Sequence, residues 1–307
     1  MPNWNRVLAE LQQSSNNSRG PHDKVRAKYL KALHKHTKRN IIVYYSGWLQ
    51  KAQQSNVDMG INDSDKTGFM TCSHEVNRSA GLDLILHTPG GDVSATESLI
   101  DYLHSLYNGD IRAIVPQLAM SGGTLMALSC SEIIMGRQSS LGPVDPQIGG
   151  MPAQGILEEF EQAKAEITQN SAAIPLWQPI LQKYWPTLIT SCQHAITLSD
   201  DLLKRFLEQC MFKNDPQPLR DQKIATVAQA LGKQKTSLTH NRHISVDAAI
   251  KLGLNVQRLE SDQTLQELVL TLHHALTLTF QHTPAFKITE NHKEVAYVAA
   301  LQNVQIR

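Results

Sequence analysis

The stretch LDLILHTPGGDVSATESLIDYL, residues 82–103, reads as strand, turn and helix in immediate succession. Leu82 to His87 is a short, nearly continuous apolar run, the pattern of a strand covered on both faces. Thr88-Pro89-Gly90-Gly91 interrupts it with turn formers, and Asp92 is a natural N-cap for a helix from about Val93 to Tyr107. The pattern then repeats. Ile111 to Pro116 (IRAIVP) predicts a second strand, a turn at Met120 to Gly123 opens a helix through Cys130, and Glu132 to Met135 (EIIM) predicts a third strand. Strands alternating with helices at this spacing make parallel β-α-β units, and hence an α/β domain.

Upstream, Ile41 to Tyr45 (IIVYY) is a further strand. Residues 1–40 read as polar helices joined by a loop from Ser14 to Gly20 and ending in the basic run HKHTKR, a solvated helix face. Residues 58–80 are polar and loop-rich, with one short helix. Downstream, Gly142 to Gly155 (GPVDPQIGGMPAQG) is rich in turn formers, and a helix follows from about Gln154 to Asn170. The prolines of residues 174–186 predict a broken segment, after which a long helical stretch reaches about Phe212 and Asn214 to Arg220 links onward. Helices are expected near 221–232 and 245–252, and Thr264 with Glu267 suggests a capping box. Leu265, Leu268, Leu272 and Leu276 then share one helix face, a core stripe or an oligomer seam.

Composition narrows the partners. The chain has 307 residues, 41% apolar and 19% charged, with 29 Lys+Arg against 28 Asp+Glu, a net charge of +1. Such a balance gives no electrostatic reason to expect nucleic acid or an anionic membrane surface, and 6% aromatic residues is low for a protein that stacks on single strands. The N-terminal residues lack the basic-then-apolar pattern of a secretory signal, no apolar run is long enough to span a membrane, and the final NVQIR carries no lipidation or sorting signature. Cys72, Cys130, Cys192 and Cys210 are scattered without C-x-x-C pairs, so they read as reduced, mostly buried thiols of a cytoplasmic protein.

Two constellations carry chemistry. In His87-Thr88-Pro89-Gly90-Gly91-Asp92, glycines between a strand and a helix let the backbone approach a ligand and leave N–H groups free for a phosphate or an oxyanion. An ordinary β-α turn is the plainer alternative. In Ala119-Met120-Ser121-Gly122-Gly123-Thr124, a serine sits on a tight turn at a helix start. That is the logic of a nucleophile elbow without its G-x-S-x-G spacing, and a helix N-cap is the plainer alternative. The pair is more telling than either part. Ser121 lies 31 positions after Gly90, on strands expected to be neighbours, so both turns meet at one sheet edge, one with a nucleophile and one with oxyanion donors.

With these motifs in view, the chain resembles the Clp-protease/crotonase superfamily. Within it the chain is most similar to the signal peptide peptidase branch and its soluble relatives, the serine dehydrogenase proteinases. The stretches that carry the resemblance are RNIIVYYSGWLQ (39–50), residues 82–103 above, IRAIVPQLAMSGGTLMALSCSEIIMGRQSSLGPVDPQ (111–147) and HISVDAAIKLGLNV (243–256). The resemblance implies an α/β fold of repeated β-β-α units with helical N- and C-terminal extensions. The extensions are residues 1–38 and 261–307, the catalytic domain is residues 39–260, and a helical insert lies near 171–220.

It also implies roles: Ser121 as nucleophile, the backbone N–H groups of Gly91 and Gly122 as oxyanion hole, and Gly90 and Asp145 in the substrate-binding loops. Clp proteases activate the serine with a downstream histidine held by an aspartate. Here that neighbourhood is Val144-Asp145-Pro146-Gln147, and the aspartate position falls near Asn241, so both partners differ. The signal peptide peptidase branch uses a lysine instead, which makes Lys164, 43 residues after Ser121, the expected base. On the predicted helix Lys164 follows Phe160 by four and Leu157 by seven, on the apolar face, where desolvation would lower its pKa toward that of a general base. A surface lysine paired with Glu161 is the alternative, and Lys183, among prolines and tryptophans, is the second candidate. His87 reads either as a site residue or as a strand-end histidine bonded to backbone, Asp145 as a loop-fixing residue or a partner of the lysine, and Trp177 and Trp185 as a cleft wall or plain packing.

No G-x-G-x-x-G follows a strand, so neither NAD nor pyridoxal phosphate is expected, and no metal or other cofactor is required. The expected activity is peptide-bond hydrolysis on peptides or unfolded protein through a Ser-Lys dyad, in a cytoplasmic homo-oligomer that neither spans a membrane nor binds nucleic acid. A crotonase-type acyl-coenzyme A enzyme and a catalytically silent scaffold are the alternatives.

Overall fold

A computed structural model describes residues 4–13, 20–54, 57–232 and 242–301. Two helices open the chain, α1 (Trp4–Gln13) and α2 (Pro21–Thr37), followed by strand β1 (Asn40–Ser46) and helix α3 (Asp65–Ser73). The central run is β2 (Leu82–His87), α4 (Val93–Tyr107), β3 (Ile111–Val115), β4 (Leu118–Ala119), α5 (Gly122–Leu128), β5 (Glu132–Met135) and β6 (Ser140–Leu141). The two-residue strands β7 (Gln147–Ile148) and β8 (Met151–Pro152) form a hairpin. Helices α6 (Ala153–Gln169), α7 (Ile174–Leu181), α8 (Leu188–Phe206) and α9 (Gln217–Leu231) follow. Then come β9 (Ile244–Ser245), a short helix (Val246–Lys251), β10 (Val256–Arg258), the long helix Gln263–His282, β11 (Ala285–Asn291) and β12 (Ala296–Ala300).

The main sheet has the order β10-β5-β3-β2-β1-β11-β12. Its first five strands run parallel, and β11 and β12 add antiparallel to the β1 edge. A small sheet, β4-β6-β9, stands beside it. The units β3-β4-α5 and β5-β6-α6 show the repeated β-β-α pattern, and the whole is a mixed α/β fold built on one large sheet.

Alternation along the strands feeds two cores. Ile42 and Tyr44 of β1 and Leu84 and Leu86 of β2 pack with residues of α4, α5, α8 and α9 on one face. Ile41, Val43 and Tyr45 of β1, Ile85 of β2 and Ile114 of β3 pack with α1, α2 and the helix Gln263–His282 on the other. All seven residues of β1 are buried, as a central strand covered on both faces requires.

Four expectations need correction. The segment beyond residue 260 is more than a helix and a tail, because β11 and β12 complete the main sheet. Residues 174–186 are not wholly broken, since α7 carries Pro175 in its first turn and absorbs Pro179 near its end. Asn214 to Arg220 is only partly a linker, since α9 begins at Gln217. The helix Gln263–His282 is capped by Asp262, whose carboxylate accepts from the Leu265 N–H at 2.9 Å, rather than by a Thr264–Glu267 box. Its leucine stripe is core: Leu265, Leu272 and Leu276 are buried and Leu268 packs against them. The four cysteines are free and buried. Asn241 and the loop from Ser14 lie outside the described residues, apart from Gly20.

Candidate active site

The turn after β2 and the turn after β4 are built against each other. Thr88 donates its N–H to Leu118 O at 3.1 Å and Met120 donates to Thr88 O at 3.0 Å, so β4 runs as a short parallel neighbour of the Thr88–Gly91 segment. The helix α4 starts where expected, with Asp92 accepting from the Ala95 N–H at 2.7 Å. Thr124 locks the second turn: its hydroxyl donates to Ala119 O at 2.8 Å and accepts from the Gly142 N–H at 2.9 Å.

Between these turns sits Ser121, with φ 49° and ψ −115°. A non-glycine residue in this region is strained, and such strain persists only where surrounding bonds over-determine it. Gly123 N–H to Met120 O (2.8 Å) and Leu125 N–H to Ser121 O (3.1 Å) do so here. The result is a serine raised on a sharp strand-to-helix turn, the device of a nucleophile elbow. It does not act as a side-chain cap of α5.

Opposite it, Gly90 has φ +96°, and a Cβ there would fall 2.6 Å from Ser121 Cβ and 2.9 Å from Gly122 N. The two turns are therefore in backbone contact, and only glycine fits. A Cβ built on Gly122 would stand 3.5 Å from Gly91 N, so the Gly91 amide nitrogen lies close to the Gly122 backbone. Gly90 O accepts from Ile61 N at 2.7 Å and Asp92 N donates to Ile61 O at 2.8 Å, which leaves the Gly91 N–H outside that pairing. The Gly122 N–H is at the open first turn of α5. Two such donors beside a serine hydroxyl can receive the negative charge that develops on a carbonyl oxygen under attack.

The turns open onto a cleft of about 360 Å³ lined by residues including Ser121, Gly91, Leu125, Val144, Ala195 and Leu198. Its walls are mixed, with Asp92 and Gln147 beside the apolar side chains, and α8 contributes Ala195 and Leu198, residues that no local sequence pattern marks. A larger cavity of about 610 Å³ lies elsewhere, between the ends of β3 and β5 and the helix Gln263–His282, and lacks a nucleophile.

The remaining expected residues separate from the cleft. Lys164 is not on the apolar face of α6. The buried residues of that helix are Ala153, Ile156 and Ala163, whereas Lys164 is 75% exposed with its Nζ 3.7 Å from Glu161. Ala153 is tied to the cleft wall by its N–H to Pro146 O at 3.0 Å, and Lys164 lies about 16 Å further along the helix axis. Lys183 is exposed beyond the end of α7. Among the described residues no lysine or histidine lines the cleft.

His87 is buried, with Nδ1 accepting from the Leu118 N–H at 3.3 Å, and lies among Tyr45, Trp48 and His273 on the sheet face away from the cleft. Burial, with His273 beside it, holds its pKa well below the ordinary histidine value. Asp145 is buried in the wall loop while its neighbours Val144 and Pro146 face the cleft. That loop is fastened by Ser199 Oγ to Val144 O at 2.7 Å and by Val144 N to Leu231 O at 2.9 Å. Trp177 of α7 is buried and donates to Glu166 at 2.8 Å, and Trp185 is exposed, so neither lines the cleft.

Residues 57–177 match the ClpP-like SDH-type serine proteinase family. The matched span contains both turns, the strained serine and the paired glycine amides. Two uncharacterized proteins of Methanocaldococcus jannaschii are similar to this chain. One is 45% identical over 93 residues, covering 30% of this chain and 32% of its own length. The other is 31% identical over 175 residues, covering 57% of this chain and 51% of its own length. The chain thus spans about a third and about half of the curated relatives it matches. No solved structure gives a significant match. Among the described residues no helix is long and apolar enough to cross a membrane.

Proposed function

We propose that this chain is a cytoplasmic serine peptidase that hydrolyses peptide bonds in peptides or unfolded protein through an acyl-enzyme on Ser121. The observation that carries the reading is the meeting of a strained Ser121 with the closely approaching backbone of Gly91 and Gly122. In this reading Ser121 Oγ attacks the peptide carbonyl carbon and passes its proton to a lysine base, Lys164. The carbonyl oxygen becomes an oxyanion held by the two N–H groups. The tetrahedral intermediate expels the amine, which leaves with the proton from the lysine. Water then adds to the ester, giving its proton to the same lysine, which returns it to Ser121 Oγ as the acid is released. The apolar walls formed by Leu125, Val144 and Leu198 favour an apolar side chain next to the cleaved bond.

Lys164 stands away from the cleft of its own chain, so the reading requires a homo-oligomer in which a neighbouring subunit's α6 delivers it. A catalytically silent scaffold is the second reading, favoured by the absence of lysine and histidine from the described cleft lining. Labelling with a fluorophosphonate decides between them. Rapid labelling that is lost in Ser121→Ala and slowed in Lys164→Ala supports the Ser-Lys peptidase. Unchanged labelling in Lys164→Ala removes that lysine, with Lys183→Ala as the next variant, and an unlabelled wild type favours the scaffold. Coenzyme A binding by calorimetry would instead favour acyl-thioester chemistry.

A further inference from the structure

We propose that a buried cluster formed by Lys287, Asp65 and Tyr44 is the positioning device of the oxyanion hole, a role that rests on the peptidase reading above. The direction of the Gly91 N–H is set by one peptide plane. In a trans peptide the carbonyl and the following N–H point to opposite sides. The bond from Ile61 N to Gly90 O, 2.7 Å, pulls that carbonyl away from the cleft and so turns the Gly91 N–H toward Ser121. Asp92 N to Ile61 O, 2.8 Å, completes the grip. Ile61 is therefore the rail on which half of the oxyanion hole is mounted.

Ile61 lies in a connecting segment between β1 and α3, outside the main sheet, and such segments move unless fastened. The cluster fastens it on both sides. Lys287 Nζ donates to Gly60 O at 3.0 Å, just before Ile61, and Asp65 Oδ2 accepts from the Asn62 N–H at 2.9 Å, just after it. Lys287 and Asp65 are joined at 2.9 Å, and Tyr44 donates its hydroxyl to Asp65 at 2.8 Å. Ser46 Oγ to Met59 O, 2.7 Å, adds a further tie. The three residues come from β11, α3 and β1, all elements anchored in the fold, and are 5%, 3% and 0% exposed.

None of them lines the cleft, so they act through Ile61 and not on substrate. A buried ion pair can often be replaced by apolar residues at little cost in stability. What apolar residues could not supply is the pair of directed bonds to the backbone at residues 60 and 62. A positioning role of this kind separates transition-state stabilisation from ground-state binding, since the oxyanion exists only after attack.

The test compares wild type with Lys287→Met, Asp65→Asn and Tyr44→Phe, each checked by circular dichroism and thermal unfolding. Two readouts are followed: peptide cleavage, and affinity for a peptide aldehyde whose tetrahedral adduct carries an oxyanion. The expected result is a fall in kcat of roughly ten- to a hundred-fold in Lys287→Met and about three- to ten-fold in Asp65→Asn, whose amide oxygen still accepts from the Asn62 N–H but no longer pairs the Lys287 charge, with a matching loss of aldehyde affinity and KM within about two-fold. Tyr44→Phe, which keeps the ion pair, is expected to show a smaller loss of the same kind, about three- to ten-fold. Folded Lys287→Met and Asp65→Asn with wild-type kcat and aldehyde affinity would overturn the proposal. Should those two not fold, an unchanged Tyr44→Phe overturns it and a selective kcat loss there supports it. A wild type that neither cleaves peptide nor labels with fluorophosphonate overturns the peptidase reading itself, and the positioning role with it.

Discussion

Ser121 and Gly90 face each other so closely that a side chain on Gly90 would begin 2.6 Å from Ser121 Cβ. Each turn therefore holds the other in shape: the strained serine is tolerated because the glycine leaves room, and the glycine's φ of +96° is kept by the pairing with Ile61. Gly90→Ala should push the turns apart. We expect fluorophosphonate labelling of Ser121 to slow by about a hundred-fold or more, with a stability loss of about 1–3 kcal/mol from the backbone strain. Labelling kinetics and urea unfolding measure the two effects separately.

Lys164 and Ser121 can be tested for residence on different subunits. Ser121→Ala and Lys164→Ala proteins are each expected to be inactive. If the lysine arrives from a neighbour, co-assembly after mild dissociation should restore roughly a quarter of wild-type activity, because random mixing pairs an intact serine with an intact lysine that often. Mixed assemblies that stay inactive would place the lysine on the same chain as its serine. Size-exclusion chromatography with light scattering verifies that mixing took place.

The cleft wall offers a specificity test. Leu198 of α8 lines the cleft yet is 38% exposed, so its replacement should spare the fold. Leu198→Asp should raise KM for substrates with an apolar residue beside the cleaved bond by about ten-fold, with kcat little changed, since one lost apolar contact is worth about 1–3 kcal/mol. An unaltered KM across a peptide library would remove α8 from substrate recognition.

Acid should destabilise the fold through buried histidines. Burial, and a neighbouring histidine in each case, lowers His273 to about 3 and His292 to about 4, and holds His87 well below its ordinary value. Each native pKa is thus below that of the unfolded chain. Below about pH 6.5 the unfolded state takes up protons that the native state does not, so stability falls as pH falls until the native values are reached. The expected loss is of order 1 kcal/mol per histidine at pH 5. Urea midpoints at pH 7.5 and pH 5 read it out, and His273→Gln should shrink the difference.

Much of the site was legible because its signals are local. The strands Leu82–His87 and Glu132–Met135 and the helix Val93–Tyr107 follow from short-range patterning, and turn glycines next to a serine mark themselves by residue type. Lys164 was misplaced for a reason of the same kind. Periodicity from Leu157 and Phe160 puts it on an apolar face, but α6 buries the stripe through Ala153, Ile156 and Ala163, which turns Lys164 out toward Glu161. Helical spacing orders residues around an axis, and only the neighbour against which the helix packs decides which of them are covered.

The sequence alone determined the β-α-β core, the two apposed turns and the family that residues 57–177 match. The tertiary structure decided what no local pattern encodes. The pairing of β11 with β1 joins residues about 245 positions apart and brings Lys287 opposite Ser46, within reach of Asp65 and Gly60. A buried lysine is stable only with its charge and hydrogen bonds satisfied, and those partners exist only once the sheet has closed on its last strands.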